Sequence, residues 1–333
     1  MYGPKRMSTP TGPKPALPYP EHDKLGPLGT RTSAIHDAAA LRGVLVRAFE
    51  AAAKDARDAV GAIDKDAATA VHQARKALRR ARAVLGLVGA ALPKGERSAV
   101  KAALQEARRA LSTVRDHAVA PKMLGQLPLG DDDRATADHV LANAAEAMPA
   151  ATETQQLLAE SAARAAAQAE ALQAALPHEV DWNTVAEGIR TTYGEARRAS
   201  EAAKRSKPWF HTWRRRSKEL VYQLELVADH AGPRVAAIHS ELSGVTDTLG
   251  PAVDLIMVRE FVATYAQGIT PGAVEHLRAA IDGELDERMK AARKAARDAF
   301  RQKPKKLEKR ITKSVRRDLA PPDEGKGAHD LHG

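Results

Sequence analysis

Two stretches of the chain pair a histidine with closely spaced cations. Residues 71–88 read VHQARKALRRARAVLGLV, and residues 210–227 read FHTWRRRSKELVYQLELV. In both, cations follow the histidine three, four and seven residues later: Arg75, Lys76 and Arg79 after His72, and Arg214, Arg215 and Lys218 after His211. A helix turns by about 100° per residue. His72, Arg75, Lys76, Arg79, Arg80 and Arg82 therefore gather on one side, opposite Ala74, Leu78, Ala81, Leu85 and Val88. His211, Arg214, Arg215 and Lys218 share a side with Tyr222, opposite Trp213, Leu220, Leu224 and Val227; Arg216 alone turns toward the apolar side. A row at i, i+3, i+7 and i+10 spans about 15 Å. Arginine presents a planar fork that matches phosphate oxygens, and lysine an adaptable point charge. The chemistry these residues suit is electrostatic binding of an anionic partner.

A lone basic stripe is ordinarily a solvated helix face, diluted by glutamates at i,i+4 that relieve repulsion. These two stripes are not diluted. Residues 67–92 hold five cations and no acid, and residues 204–218 hold seven and no acid, while residues 131–187 hold eleven acids and two arginines. The net charge of +10 is concentrated in the ends: residues 1–34 and 301–333 account for +8, leaving residues 35–300 at +2. Local sorting on a nearly neutral body points to one defined electropositive site. Neither His72 nor His211 has a second histidine or a carboxylate three or four residues away, so no metal is expected. A neutral histidine can donate to a phosphate oxygen or a backbone carbonyl, and proximity to phosphate favours its charged form. Binding that strengthens as pH falls through the histidine range is the resulting expectation. There is no glycine-rich phosphate loop and no cluster of carboxylates for magnesium, so neither catalysis nor a cofactor is expected. Asp116 and Asp254 read as residues that orient basic side chains or cap a turn. Nucleic acid is the weaker alternative partner, since aromatics are only 4% and no helix-turn-helix or zinc pattern occurs.

The elements that must position these residues are helices. The 333-residue chain is alanine-rich and lacks continuous β-branched runs. It has no cysteine, which excludes disulfides and thiolate metal sites. No stretch approaches the ~20 apolar residues of a membrane span. Residues 1–34 contain seven prolines and read as a disordered leader. A first helix starts near Ser33–Ile35 and runs to about Val60, and Asp66 is the expected N-cap of the first basic helix, which ends near Leu92. A third helix is predicted from Lys94 to Leu124, loosened at Pro121. A fourth begins at Asp131–Asp133, whose charges suit the helix dipole, and continues to about Leu176 with a kink at Pro149. After Pro177–Asp181 the order begins again: Trp182 to Lys204, Trp209 to Asp229, Pro233 to Ala266 and Gly272 to Arg301. A basic extension, Lys303–Asp318, precedes a disordered end.

The order is a duplication. His72 and Asp116 lie 44 residues apart, and His211 and Asp254 lie 43 apart. The expected fold is all-α: two pseudo-symmetric four-helix bundles, residues 35–177 and 178–302, with a basic groove between them. A leader (1–34) and a basic tail (303–333) flank them. Supporting cations are expected from Arg115 and from the helix before the second stripe, at Arg190, Arg197, Arg198 and Lys204, with Tyr193 among them. Arg47 and Lys54 hold the equivalent positions in the first half, and Arg108 and Arg109 are ambiguous beside Glu106.

His-x-x-Arg-[Lys/Arg]-x-x-[Lys/Arg], once per half and followed by a turn such as Leu111–Asp116, resembles the CHAD domain (conserved histidine α-helical domain) over about residues 35–305. The second copy, HTWRRRSKELVYQLEL, is the sharper match, although Val221 stands where the family pattern has an arginine. Arg82 holds the corresponding place in the first stripe, which is therefore expected to supply more of the binding charge. The resemblance implies paired helical bundles around a basic channel and noncatalytic binding of inorganic polyphosphate. It also implies a cytoplasmic protein associated with polyphosphate granules. Some relatives carry a triphosphate tunnel catalytic domain; the short leader suggests a stand-alone binding module.

Overall fold

The computed structural model describes residues 38–231 and 233–318, and every regular element among them is an α-helix. The proline-rich leader, the predicted helix start at Ser33–Ile35 and the end of the chain past Asp318 lie outside the described residues. The first half holds α1 (Ala38–Gly61), α2 (Ala67–Val88), α3 (Lys94–Ala110), α4 (Ser112–Gln126), α5 (Asp131–Glu146) and α6 (Ala151–Ala175). The second holds α7 (Trp182–Ala202), α8 (Trp209–Ala231), α9 (Pro233–Thr264), α10 (Pro271–Ala299) and α11 (Pro304–Asp318). α2 and α8 carry the two basic stripes.

Several boundaries follow directly from the sequence. Asp66 caps α2: its carboxylate accepts from the Thr69 N–H at 3.0 Å and from the Thr69 hydroxyl at 2.6 Å. Asp181 caps α7 in the same way, accepting from the Thr184 N–H at 2.8 Å. Asp131, Asp132 and Asp133 occupy the first turn of α5, where the helix dipole favours them. Pro271 opens α10 at its first turn, the position a proline tolerates.

The first half contains more breaks than expected. The helix predicted over Lys94–Leu124 is two helices, and the break falls at Leu111 instead of Pro121, which sits within α4. Leu111 leaves helical geometry at φ −89° and ψ 10°, with its side chain fully buried. Arg75 of α2 donates to the Arg108 carbonyl at 2.7 Å and to the Ser112 hydroxyl at 3.2 Å. The break thus gains a charged partner for a carbonyl that helix continuation would otherwise satisfy. The predicted fourth helix likewise becomes α5 and α6 across Pro149. The extra break changes the packing. α6 returns to α1 and α3, whereas α4 lies on α9 and α5 on α10. His117 of α4 packs edge-on against Phe261 and Tyr265, and Asn143 of α5 donates to the Tyr265 and Gln267 carbonyls. Two helices of the first half are therefore embraced by the second.

The helix at the centre is α2, which packs against α1, α3, α4, α6, α7 and α8. Its alanines Ala70, Ala74, Ala77 and Ala81 are almost fully buried, and so are Leu78, Val84, Leu87 and Val88. Small side chains let neighbours come close. The tightest approach is to α7. A Cβ placed on Gly188 would lie 2.5 Å from the Leu87 carbonyl oxygen and 2.7 Å from that of Gly86, with backbone as the obstacle. One apolar core then runs from Leu41 to Val315 through both halves.

Gly188→Ala is expected to cost about 1–3 kcal/mol or more through overpacking. Gly283→Ala, at an exposed helical position with open space around it, should add about 0.5–1 kcal/mol. Urea unfolding of both variants checks the pair; an unchanged midpoint for the first would contradict the close crossing.

Candidate functional site

The two stripes meet. α8 packs on α2, and the cations of both, with those at the junction of α3 and α4, act on one another's ionisation. His72 feels Arg79, Lys76, Arg115 and Arg214; Arg79 feels Tyr222, Arg214 and Arg115; Arg108 feels Arg82, Arg79 and Arg215. Burial and mutual repulsion both act against the charged forms. Burial first, and then Arg108, Arg115 and Arg79, push Arg75 down to about 9. Arg108 is pushed down to about 10 by burial and then by Arg82, Arg79 and Arg215. Lys218 is lowered by burial, against the pull of Tyr222, and then by Arg214. Burial would raise the Tyr222 phenol, but Arg79, Lys218 and Arg80 outweigh it and hold its pKa below the usual tyrosine range.

Not every cation in this cluster is open. Arg75 is buried and committed to the α3–α4 break. Arg80 pairs with Asp55 of α1 at 3.1 Å and lies over the Tyr222 ring, 5.9 Å from its centroid. Arg82 is buried beside Glu219 of α8, so the extra cation of the first stripe is drawn into the framework. Arg115 is clamped by Asp116 at 3.0 Å and by the buried Asp254 of α9. For Arg115, burial works against the charge but the two carboxylates outweigh it and raise its pKa. These are the aspartates read from the sequence as orienting groups, and one arginine bridges both.

The Nε–H groups of Arg79, Arg80, Arg108 and Arg214 in the cluster are buried without a hydrogen-bond partner among the described residues, as are those of Arg190, Arg278 and Arg293 outside it. Buried donors are normally paired, so such guanidiniums are poised for an acceptor. Lys76 and Lys218 are half-buried, while Arg215, His72 and His211 are exposed. Burial lowers His211 and outweighs the opposite pull of Glu260; Arg214 adds to the lowering. His72 is pushed further, down to about 4, by the protein around it and then by Arg79 and Lys76, although its exposed side lets solvent screen part of the effect. Both imidazoles are therefore biased toward the neutral form.

Two of the supporting cations expected on α7 have carboxylate partners of their own. Arg190 pairs with Glu187 at 2.7 Å and with Glu308 of α11 at 3.2 Å, and Lys204 pairs with Glu201 at 2.6 Å. Arg198 is exposed beside Gly194 and Pro304, and Arg197 is half-buried near Tyr193. The Tyr193 hydroxyl donates to the carbonyls of Ala299 and Gln302, which makes it part of the α10–α11 connection. On α1, Arg47 is exposed and Lys54 pairs with Asp58. Arg216 finds its place in ion pairs of 2.8 Å with Glu195 of α7 and Glu219. A concave pocket lined by Lys204, Arg205 and Trp209 lies at the α7–α8 turn and includes none of the cluster cations.

Among the described residues no group of three or more metal-ligating side chains converges, and no helix is long and apolar enough to cross a membrane. Fold and cluster define a class: an all-α protein whose two histidine-bearing basic helices converge. The CHAD domain family model matches residues 43–263, and the chain belongs to that family. The match ends within α9, leaving α10 and α11 outside it. The chain is also similar to the crystal structure of the CHAD domain from the plant Ricinus communis. The TM-score is 0.57 at 17% identity, over 80% of this chain and 93% of that one. No curated protein matches the chain.

The His72 pKa sets a pH signature. In the unfolded chain it titrates near 6.5 and in the fold near 4, so the unfolded state binds the proton first. Its contribution to stability is present above about pH 6.5 and is lost as pH falls toward 4. His72→Gln should lose less stability than the parent between pH 7.5 and pH 5, read as the difference in urea midpoint; equal losses would refute the assignment.

Proposed function

We propose that the protein binds inorganic polyphosphate without transforming it, through the cations of α2 and α8 facing a shared basic groove. The observation that carries this reading is the set of buried Arg79, Arg108 and Arg214 Nε–H groups without partners in one cationic cluster. Gathering guanidiniums in one partly buried cluster costs stability, and a polyanion with about one charge per phosphate relieves it. The ligand contacts on this reading are His72, Lys76, Arg79, Arg108, His211, Arg214, Arg215 and Lys218. Arg75, Arg80, Arg82 and Arg115 hold the frame. Family membership supports the polyanion class, and association with polyphosphate granules would follow from such binding.

Catalysis is no part of the proposal. Asp116 and Asp254 both hold Arg115, so neither is offered as a general base or magnesium ligand. Proton linkage follows the histidines: a bound phosphate chain raises their pKa values, so affinity rises as pH falls below the bound-state value and levels off near 4 for His72.

Arg79→Gln with Arg214→Gln should weaken long-chain polyphosphate binding by about 100-fold or more and make the log–log salt dependence shallower by about two. Titration at two salt concentrations measures both, with the urea midpoint as the folding control. Retained affinity in a folded double variant removes α2 and α8 as the site. Competition with duplex DNA and ATP decides the ligand class, and equal displacement by DNA favours the nucleic-acid alternative.

A further inference from the structure

The outer face of α11 has no role in the cluster on α2 and α8. The helix is anchored to α7 and α8 by Leu307, Ile311 and Val315, all essentially buried. At about 100° per residue, Lys305, Lys306, Lys309 and Lys313 fall on the side opposite this apolar row. All four are exposed, and none has an ion-pair partner among the described residues. The one acid between Pro304 and Val315 is Glu308, which is turned inward to Arg190 of α7 at 3.2 Å. A solvated surface helix normally alternates its charges. Here the acid is used in packing and the solvent side is left uniformly cationic. Arg301 and Lys303, also exposed, precede the helix, and exposed Arg198 lies beside Pro304 at its start.

This face and α2 lie apart. On α7, Gly188 abuts Leu87 of α2, whereas Gly194 abuts Pro304 at the start of α11. Six residues turn a helix by about 600°, which places these two contacts about 120° apart. α2 and α11 therefore seat on different sides of α7.

We propose that the lysine face of α11 is a second polyphosphate-binding surface, so that one molecule holds two polyphosphate segments and bridges chains. The proposal rests on the polyphosphate reading of the α2–α8 site. Lysines on a solvated helix, with no aromatic among them, suit a flexible chain of phosphates better than stacked bases. The contacts are screened, weak singly and additive along the chain.

The test immobilises long-chain polyphosphate, captures the full-length protein, and then adds a second, fluorescently labelled polyphosphate chain. The parent protein should retain the second chain. Lys309→Glu with Lys313→Glu should still be captured but retain roughly tenfold less label. Since these lysines are exposed, the urea midpoint should be unchanged, and Lys309→Gln with Lys313→Gln provides the milder version of the loss. Bridging equal to that of the parent overturns the proposal, because it would arise from paired copies of the α2–α8 site. Preferential retention of labelled duplex DNA over polyphosphate overturns the assigned ligand. Failure of the parent protein to be captured at all overturns the α2–α8 reading itself, a different result from capture without bridging.

Discussion

The contact on which the rest depends is the crossing of α2 and α7 at Gly188, where two helix backbones meet with no side chain between them. A glycine there allows α7 to approach Gly86 and Leu87 directly. α8, packed beside α7, is thereby brought onto the same flank of α2. Gln223 then reaches across to donate to the Ala83 carbonyl at 3.1 Å. Glu219 stands between Arg82 and Arg216, joining α2, α8 and, through Glu195, α7 by buried charge. The two basic helices lie together because α8 packs on both α2 and α7.

Concentrating like charge in a fold requires that some of it be neutralised internally. The framework cations do this with unlike partners: a backbone carbonyl for Arg75, Asp55 for Arg80, Glu219 for Arg82, and two aspartates for Arg115. Those interactions fix the helices against one another. The remaining cations, Arg79, Arg108, Arg214 and Lys218, act chiefly on one another and on the Tyr222 hydroxyl, with Asp247 pulling on Lys218. The division is between cations that hold helices in place and cations held in place by them. Removing one partner of a buried pair would free a charge in the interior, and such losses are costly.

The sequence disclosed the helical class, both stripes, the Asp66 cap and the orienting character of Asp116 and Asp254. It disclosed them because helical periodicity and capping are local properties, legible over a few residues. Leu111, the actual break, carries no glycine or proline signal; Arg75, 36 residues earlier, makes it tolerable. The α7 cations were on a plausible face of their own helix, but a wheel does not say which neighbour that face meets. For Arg190 the neighbour was α11, with Glu308. Arg216 was only half legible: Glu219 lies three residues on in the same helix, but Glu195 lies on another. The Gly188 crossing was also silent: a single glycine within a helical pattern does not reveal the backbone it touches.

The central position of α2 has a consequence for synthesis. The chain emerges from its N-terminus at roughly 5–20 residues per second, so α2 is complete long before α7 and α8 exist. Until residue 188 and the residues beyond it appear, α2 lacks the helices that cover one flank, and its cations face solvent without Tyr222 or Glu219. α4 and α5 wait longer still, because their partners are α9 and α10. The first half therefore leaves the ribosome with apolar surface on three helices that it cannot bury by itself. A nascent chain at that stage is a basic, partly uncovered intermediate in a compartment filled with ribosomal RNA. The late arrival of α8, and of α9 and α10 after it, sets how long that exposure lasts.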